Sequence, residues 1–204
     1  MHKKLLYSLV ILFVLLGTLI YIDFEPLQTL DNNVNSYLST IHYPTLDKIM
    51  LYVTKIGNTY ESLLFFIVLS IFIITKKKKY LFYIFTISTA LATILPLIIK
   101  NLIQKIRPIS NLLQETDFSF PSGHTTISTL FIIASIIIIV PLIKNKFYKY
   151  FYLITSFCIF SLVVFSRLYL SVHWFSDILG GILLGTTCYL LSIVFCCQKK
   201  ENML

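Results

Sequence analysis

Long apolar runs broken by short polar clusters dominate the chain. Six runs reach or approach the roughly 20 residues needed to cross a bilayer core. They are Leu5–Ile22, Tyr60–Thr75, Tyr80–Ile99, His124–Ile143, Tyr150–Phe165 and Trp174–Cys197. The pattern predicts an all-α membrane protein with six transmembrane helices, forming a single domain over 1–204. The segment Asp23–Gly57 has a different texture. Leu27, Leu30, Val34, Leu38 and Ile41 recur at helical spacing among Asp31, Asn32, Asn33 and Asn35, and Leu46, Ile49, Met50 and Val53 repeat the pattern. That predicts one or two interfacial helices within an outer-face region covering 23–58. Covering span ends and gating lipid entry are equally good roles for them.

Composition agrees with a membrane class. The 204 residues are 57% hydrophobic and 13% charged, with a mean hydropathy of +0.83. A soluble domain carries about 25% charged residues. The first run follows Lys3 and Lys4, as a secretory signal would. It exceeds the roughly 7–15-residue core of a signal, and no A-x-A-like cleavage site follows, so it reads as a retained span. Cys158, Cys188, Cys196 and Cys197 all fall in predicted spans or at their inner ends. They show no metal-ligand spacing and suit no disulfide framework.

The net charge of +8 would fit nucleic acid in a soluble protein. Here it fits basic inner loops facing anionic head groups, so the expected partner is the lipid bilayer and not nucleic acid. Lys3–Lys4, Lys76–Lys79, Lys144/Lys146/Lys149 and Lys199–Lys200 are separated by pairs of spans. Placing all four groups in the cytoplasm puts both termini inside and 11 of the 17 basic residues with them. Eight of the nine acids then fall on the outer side, with Glu201 inside. The expected location is the cell membrane, multi-pass.

This topology brings three polar clusters to one extracytoplasmic face. The first runs from Lys100 to Arg107-Pro108, the second is Pro121-Ser122-Gly123-His124, and the third extends from Ser166-Arg167 to His173 and Asp177. Arg107 and Arg167 are the chain's two arginines. The guanidinium presents a planar fork of donors that matches phosphate oxygens, unlike the point charge of lysine. His173 and Asp177 sit four apart, on one face of a helix, where the carboxylate can orient one ring nitrogen and leave the other basic. A macrodipole-favouring aspartate is the bland alternative.

Ser122 is a good N-cap, and Gly123 lets a ligand approach a helix N-terminus suited to phosphate. His124 could give a proton to a leaving oxygen, or be an ordinary interfacial histidine. Lys100 could bind an anion or snorkel to head groups, a reading that suits Arg107 poorly. Lys105 and Trp174 read mostly as interface anchors. Glu115 and Asp117, two apart, are a weak metal signal.

Together the clusters resemble the type 2 phosphatidic acid phosphatase superfamily. Its pattern is a lysine, six residues, then Arg-Pro; Pro-Ser-Gly-His; and Ser-Arg, five residues, His, three residues, Asp. Every position is filled in order and spacing. The resemblance implies that His173 attacks phosphorus to give a phosphohistidine, Asp177 orients it, and His124 protonates the leaving oxygen. It implies that Lys100, Arg107, Arg167, Ser122 and the Gly123 N–H hold the phosphoryl oxygens, with no metal or organic cofactor. The expected function is a membrane lipid phosphatase acting on undecaprenyl pyrophosphate, phosphatidylglycerophosphate or phosphatidic acid. A lipid A-type phosphatase or phosphotransferase would use the same residues with a different acceptor. A non-catalytic lipid-phosphate binding or transport protein is the alternative of another class. The oligomeric state is not readable from one sequence.

Overall fold

The computed structural model describes residues 2–201, with side chains from Lys3 to Cys197. Lys199, Lys200 and Glu201, assigned from sequence to the inner face, fall outside the described side chains. Eight α-helices are present among the described residues, and no strands. They are α1 (His2–Tyr21), α2 (Glu25–Ser39), α3 (Pro44–Val53), α4 (Thr59–Thr75), α5 (Lys79–Ile103), α6 (Gly123–Ile139), α7 (Lys146–Tyr169) and α8 (Phe175–Glu201). Short 3₁₀ turns extend α3 over Thr54–Gly57 and α6 over Val140–Leu142.

Five helices are long and apolar enough to span: α1, α5, α6 with its 3₁₀ turn, α7 and α8. At 25 residues, α5 is about 37 Å long, more than the ~30 Å hydrocarbon core. The sixth expected span, α4, has 17 residues and reaches only about 26 Å. It becomes long enough only when joined to Pro44–Gly57 across a 48° bend. The predicted interfacial region therefore contains α2 and α3, and α3 is nearly continuous with α4.

Helix α8 is the central strut. Over half of its most apolar stretch (56%) is buried, against 17% for α1 and for α7. It packs on α6, α1 and α5, while α7 leans on α6. One core joins Ile84, Ala92, Leu130, Leu184 and Cys188 between α5, α6 and α8. A second gathers Leu69, Ile73, Phe85 and Ala134 between α4, α5 and α6. Outward-facing Ile11, Val14, Ile71, Ile154 and Phe157 are exposed, as expected of helices that meet lipid instead of water.

Small residues set the α6–α8 spacing. A Cβ on Gly181 would stand 2.7 Å from Thr125 Cβ and 2.9 Å from the Ser122 carbonyl, and one on Gly185 would stand 2.5 Å from the Thr126 carbonyl. Gly181 and Gly185 form a G-x-x-x-G pair, which lets two backbones approach closely. The approach occurs where α6 carries Ser122 and α8 carries Asp177. The other end of the bundle holds the lysine-bearing turns, and there the Tyr80 hydroxyl meets Cys197 Sγ at 3.0 Å.

Candidate active site

The C-terminal ends of α5 and α7 and the N-terminal ends of α6 and α8 meet at one end of the bundle. Helix α5 stops at Gln104, in the left-handed region with φ 54°. The chain then runs without regular structure to Ser122. Helix α7 closes similarly: Ser171 has φ 49°, and the Val172 N–H donates back to the Arg167 carbonyl at 3.2 Å. Such left-handed caps satisfy the last helix carbonyls and turn the chain sharply. They leave His173 in a short loop under the start of α8.

His173 is 2% exposed and Asp177 is fully buried. His173 Nδ1 faces Asp177 Oδ2 at 3.3 Å, and Nε2 faces Arg107 Nη1 at 3.2 Å. The Trp174 N–H donates to the same Asp177 oxygen at 2.8 Å. One ring nitrogen is thus held by the carboxylate, and the other points among cations. Burial first, then the charges of Arg167, Arg107 and Lys100, push the His173 imidazole well below its ordinary pKa. A neutral ring is the form that carries a nucleophilic lone pair.

Ser122 caps α6, its Oγ accepting from the Thr125 N–H and hydroxyl at 3.3 and 3.0 Å. Ser122 itself is fully buried. The Ser122 N–H donates to the Asp177 carbonyl at 3.1 Å, tying α6 to α8. Nothing lies within 4 Å of where a Gly123 Cβ would be. The space above this helix N-terminus is open, as an anion seat requires. His124 Nε2 lies 2.9 Å from Asn58 Oδ1, and a Cβ on Gly57 would stand 2.7 Å from the His124 ring.

The three cations are held by acids of the 104–122 loop. Lys100 Nζ pairs with Asp117 Oδ2. Arg107 Nη2 donates to Asp117 Oδ1 at 2.5 Å, its Nε to the Asp117 carbonyl at 2.8 Å, and its Nη1 to the Val172 carbonyl at 2.5 Å. Arg167, 1% exposed, donates to Glu115 at 2.6 Å and to the Thr54 hydroxyl at 2.7 Å. Burial alone would raise the Asp117 carboxyl, but hydrogen bonds from Lys100 and Arg107 override it and hold the pKa at about 2.

Every candidate catalytic or phosphate-binding residue read from the sequence therefore lies at this end of the bundle. Lys105 differs from its reading as an interface anchor: its Nζ turns inward to Asp31 at 2.7 Å and Asp177 at 3.3 Å. Glu115 pairs with Arg167, and Asp117 with Lys100 and Arg107. No group of three or more metal-type ligands occurs among the described residues. Asn58, Gly57, Thr54 and Asp31 were not anticipated. Asp31 did leave a signal, since it lies on the same helical stripe as Leu27, Val34 and Leu38, where a carboxylate needs a buried partner.

The model for the PAP2 superfamily matches residues 79–202. Phosphatidylglycerophosphatase B of Bacillus subtilis (strain 168) is 27% identical over 90% of this chain and 91% of its own length. An undecaprenyl-diphosphatase of Sulfolobus acidocaldarius is 28% identical over 95% of this chain and 92% of its own. A transmembrane PAP2-type phosphatidylglycerolphosphate phosphatase from Bacillus subtilis superposes with a TM-score of 0.78 at 25% identity, covering 93% of this chain and 94% of that one. Aquifex aeolicus LpxE shares the fold, with a TM-score of 0.60 at 22% identity over 80% of this chain and 94% of its own.

Proposed function

Because the chain belongs to the PAP2 superfamily, we propose that its polar end removes phosphate from a membrane lipid through a covalent phosphohistidine. The observation that carries the reading is the placement of His173. Its Nδ1 is steered by Asp177, and its Nε2 is turned toward Arg107 with Lys100 and Arg167 nearby. Phosphoryl transfer spreads charge over the equatorial oxygens, so prearranged cations and N–H donors are the main catalytic means.

A lipid phosphate enters the open space above Gly123 and takes over the bonds that Asp117 and Glu115 make to Lys100, Arg107 and Arg167. The Ser122 hydroxyl and the Gly123 N–H complete the cradle. His173 Nε2 attacks phosphorus, the P–O bond to the lipid breaks, and His124 gives the leaving oxygen its proton while Asn58 fixes the ring. Water then attacks phosphorus, the N–P bond breaks, and inorganic phosphate leaves with His173 restored. His124 takes the proton from that water.

The substrate is undecaprenyl pyrophosphate or a phospholipid monoester, the groups named for the two curated relatives. One domain spans 1–204, with both termini cytoplasmic and the site extracytoplasmic. Helices α2 and α3 lie along the outer interface. The distribution of lysines supports that orientation.

The test is phosphate release in detergent from phosphatidylglycerophosphate, phosphatidic acid, undecaprenyl pyrophosphate and a soluble monoester, with His173→Ala alongside. A lipid substrate should be turned over by the wild type and not by the variant. Equal release by both proteins rejects the mechanism.

A further inference from the structure

Behind Asp177, on the side away from the phosphate cradle, lies a buried ionic cluster with no part in the steps above. Asp31, from α2, is 4% exposed. Its Oδ1 accepts the Ser176 N–H at 2.8 Å, and its Oδ2 accepts the Ser176 hydroxyl at 2.7 Å and Lys105 Nζ at 2.7 Å. Lys105 Nζ also reaches Ser176 Oγ at 2.6 Å and Asp177 Oδ1 at 3.3 Å, and it stands over the Trp174 ring. The two oxygens of Asp177 are thereby divided: Oδ2 serves His173 and Trp174, and Oδ1 faces Lys105.

We propose that Lys105 and Asp31 are positioning residues for the His173–Asp177 pair, with one lysine shared between two carboxylates so that a net negative charge faces the nucleophilic ring. The inference rests on the reading of His173 as nucleophile.

The charge count gives the physical reason. With His173 neutral, Asp31, Asp177 and Lys105 sum to minus one. When His173 bonds to phosphorus its ring becomes positive and the cluster reaches neutrality. Stabilisation that appears only as charge develops lowers the barrier without tightening ground-state binding. Without Lys105, two largely buried carboxylates lose the cation between them, and one protonates instead of supporting the ring. Without Asp31, Lys105 turns wholly to Asp177 and weakens the hold of that carboxylate on His173. A purely structural pair, stitching α2 to the start of α8, would need neither effect.

The experiment is single-turnover phosphorylation of the full-length protein in detergent. The probe is the lipid phosphate found active in the panel above, labelled on phosphorus, with acid-quenched phosphoenzyme measured beside KM and thermal stability. The variants are Lys105→Met, Lys105→Arg, Asp31→Asn and the double Asp31→Asn/Lys105→Met. Lys105→Met should slow phosphoenzyme formation by roughly tenfold or more, because a carboxylate that protonates no longer supports the charge developing on the ring. KM should stay within about twofold, since only the transition state uses the cluster. Lys105→Arg should restore most of the rate.

The double variant removes one charge of each sign, keeps the net minus one facing the ring, and should recover most of the rate that Asp31→Asn loses; a double variant as slow as Asp31→Asn overturns the proposal. A rate within about twofold of wild type in both Lys105→Met and Asp31→Asn makes the pair structural and overturns it as well. If Lys105→Met or the double variant fails to fold, Asp31→Asn decides, because there Lys105 still compensates Asp177. A rate reduced severalfold at unchanged KM then supports the proposal, and an unchanged rate overturns it. Absence of labelled His173 in the wild type would instead sink the phosphohistidine reading itself, and is seen before any variant is made.

Discussion

Gly181→Ala is the sharpest probe of how backbone spacing serves the chemistry. The added Cβ would lie 2.7 Å from Thr125 Cβ and 2.9 Å from the Ser122 carbonyl, where ordinary contact begins at 3.4 Å. Neither neighbour is the end of a flexible side chain, so α8 must move off α6 by about 0.5–0.7 Å at that level. Gly181 is one helical turn from Asp177, and Ser122 is bonded through its N–H to Asp177 itself. The displacement therefore opens the gap between the His173 ring and the proposed phosphate seat at Ser122 and Gly123. A misplacement of about 1 Å costs around a hundredfold in rate, so a fall of about tenfold or more in kcat is expected. Overpacking of this kind costs about 1–3 kcal/mol of stability.

Gly185→Ala is the paired control. Its clash is harder, at 2.5 Å from the Thr126 carbonyl, but it lies a turn deeper in the bundle. It should lose more thermal stability per unit of lost activity. The assay is initial-rate phosphate release in detergent beside a melting curve for each protein. A Gly181→Ala enzyme with kcat within twofold of wild type would refute the claim that this helix contact sets catalytic geometry.

Four further outcomes are expected. His173 stays neutral as pH falls through 6.5, where a free histidine is half protonated, so phosphoenzyme formation should persist below that pH; a break at 6.5 assigned to His173 by ring ¹⁵N shifts would contradict the burial argument. The same burial removes stability as pH drops below 6.5, because the unfolded chain then binds a proton that the folded one refuses. Asp117→Asn frees Lys100 and Arg107 from their resting partner and should tighten inhibition by orthovanadate severalfold; unchanged inhibition would mean that Asp117 does not compete for the seat, and because its carboxyl titrates at about 2, no relief by mild acid is expected in the unmodified protein. Activity should survive EDTA, and a loss that Mg²⁺ restores would reveal a metal requirement in the reaction.

Much of the candidate site is legible because the spacing that defines it is local. His173 and Asp177 fall four apart, Ser122 precedes a helix, and each arginine interrupts an apolar run. The partners of those groups were not legible, because they come from distant segments. Asn58 reaches His124 across 66 residues and Thr54 reaches Arg167 across 113. No periodicity encodes such pairings. Helix α4 shows the same limit in the fold: its apolar run is too short to cross alone, and only the 48° joint with Pro44–Gly57 makes up the length. Lys105 was misread because a lysine near a span end is ordinarily an anchor. The acid that draws it inward, Asp31, lies 74 residues away.

The acidic loop of residues 104–122 has a consequence for life inside a bilayer. Any lipid entering the seat must displace Asp117 and Glu115 from Lys100, Arg107 and Arg167. The phosphodiester head groups that make up the surrounding leaflet carry a single negative charge on phosphorus and meet two carboxylates already in place. A terminal phosphate brings up to two charges of its own and can replace them. Under the proposed mechanism, that difference keeps the seat from being clogged by the vast excess of look-alike molecules around it.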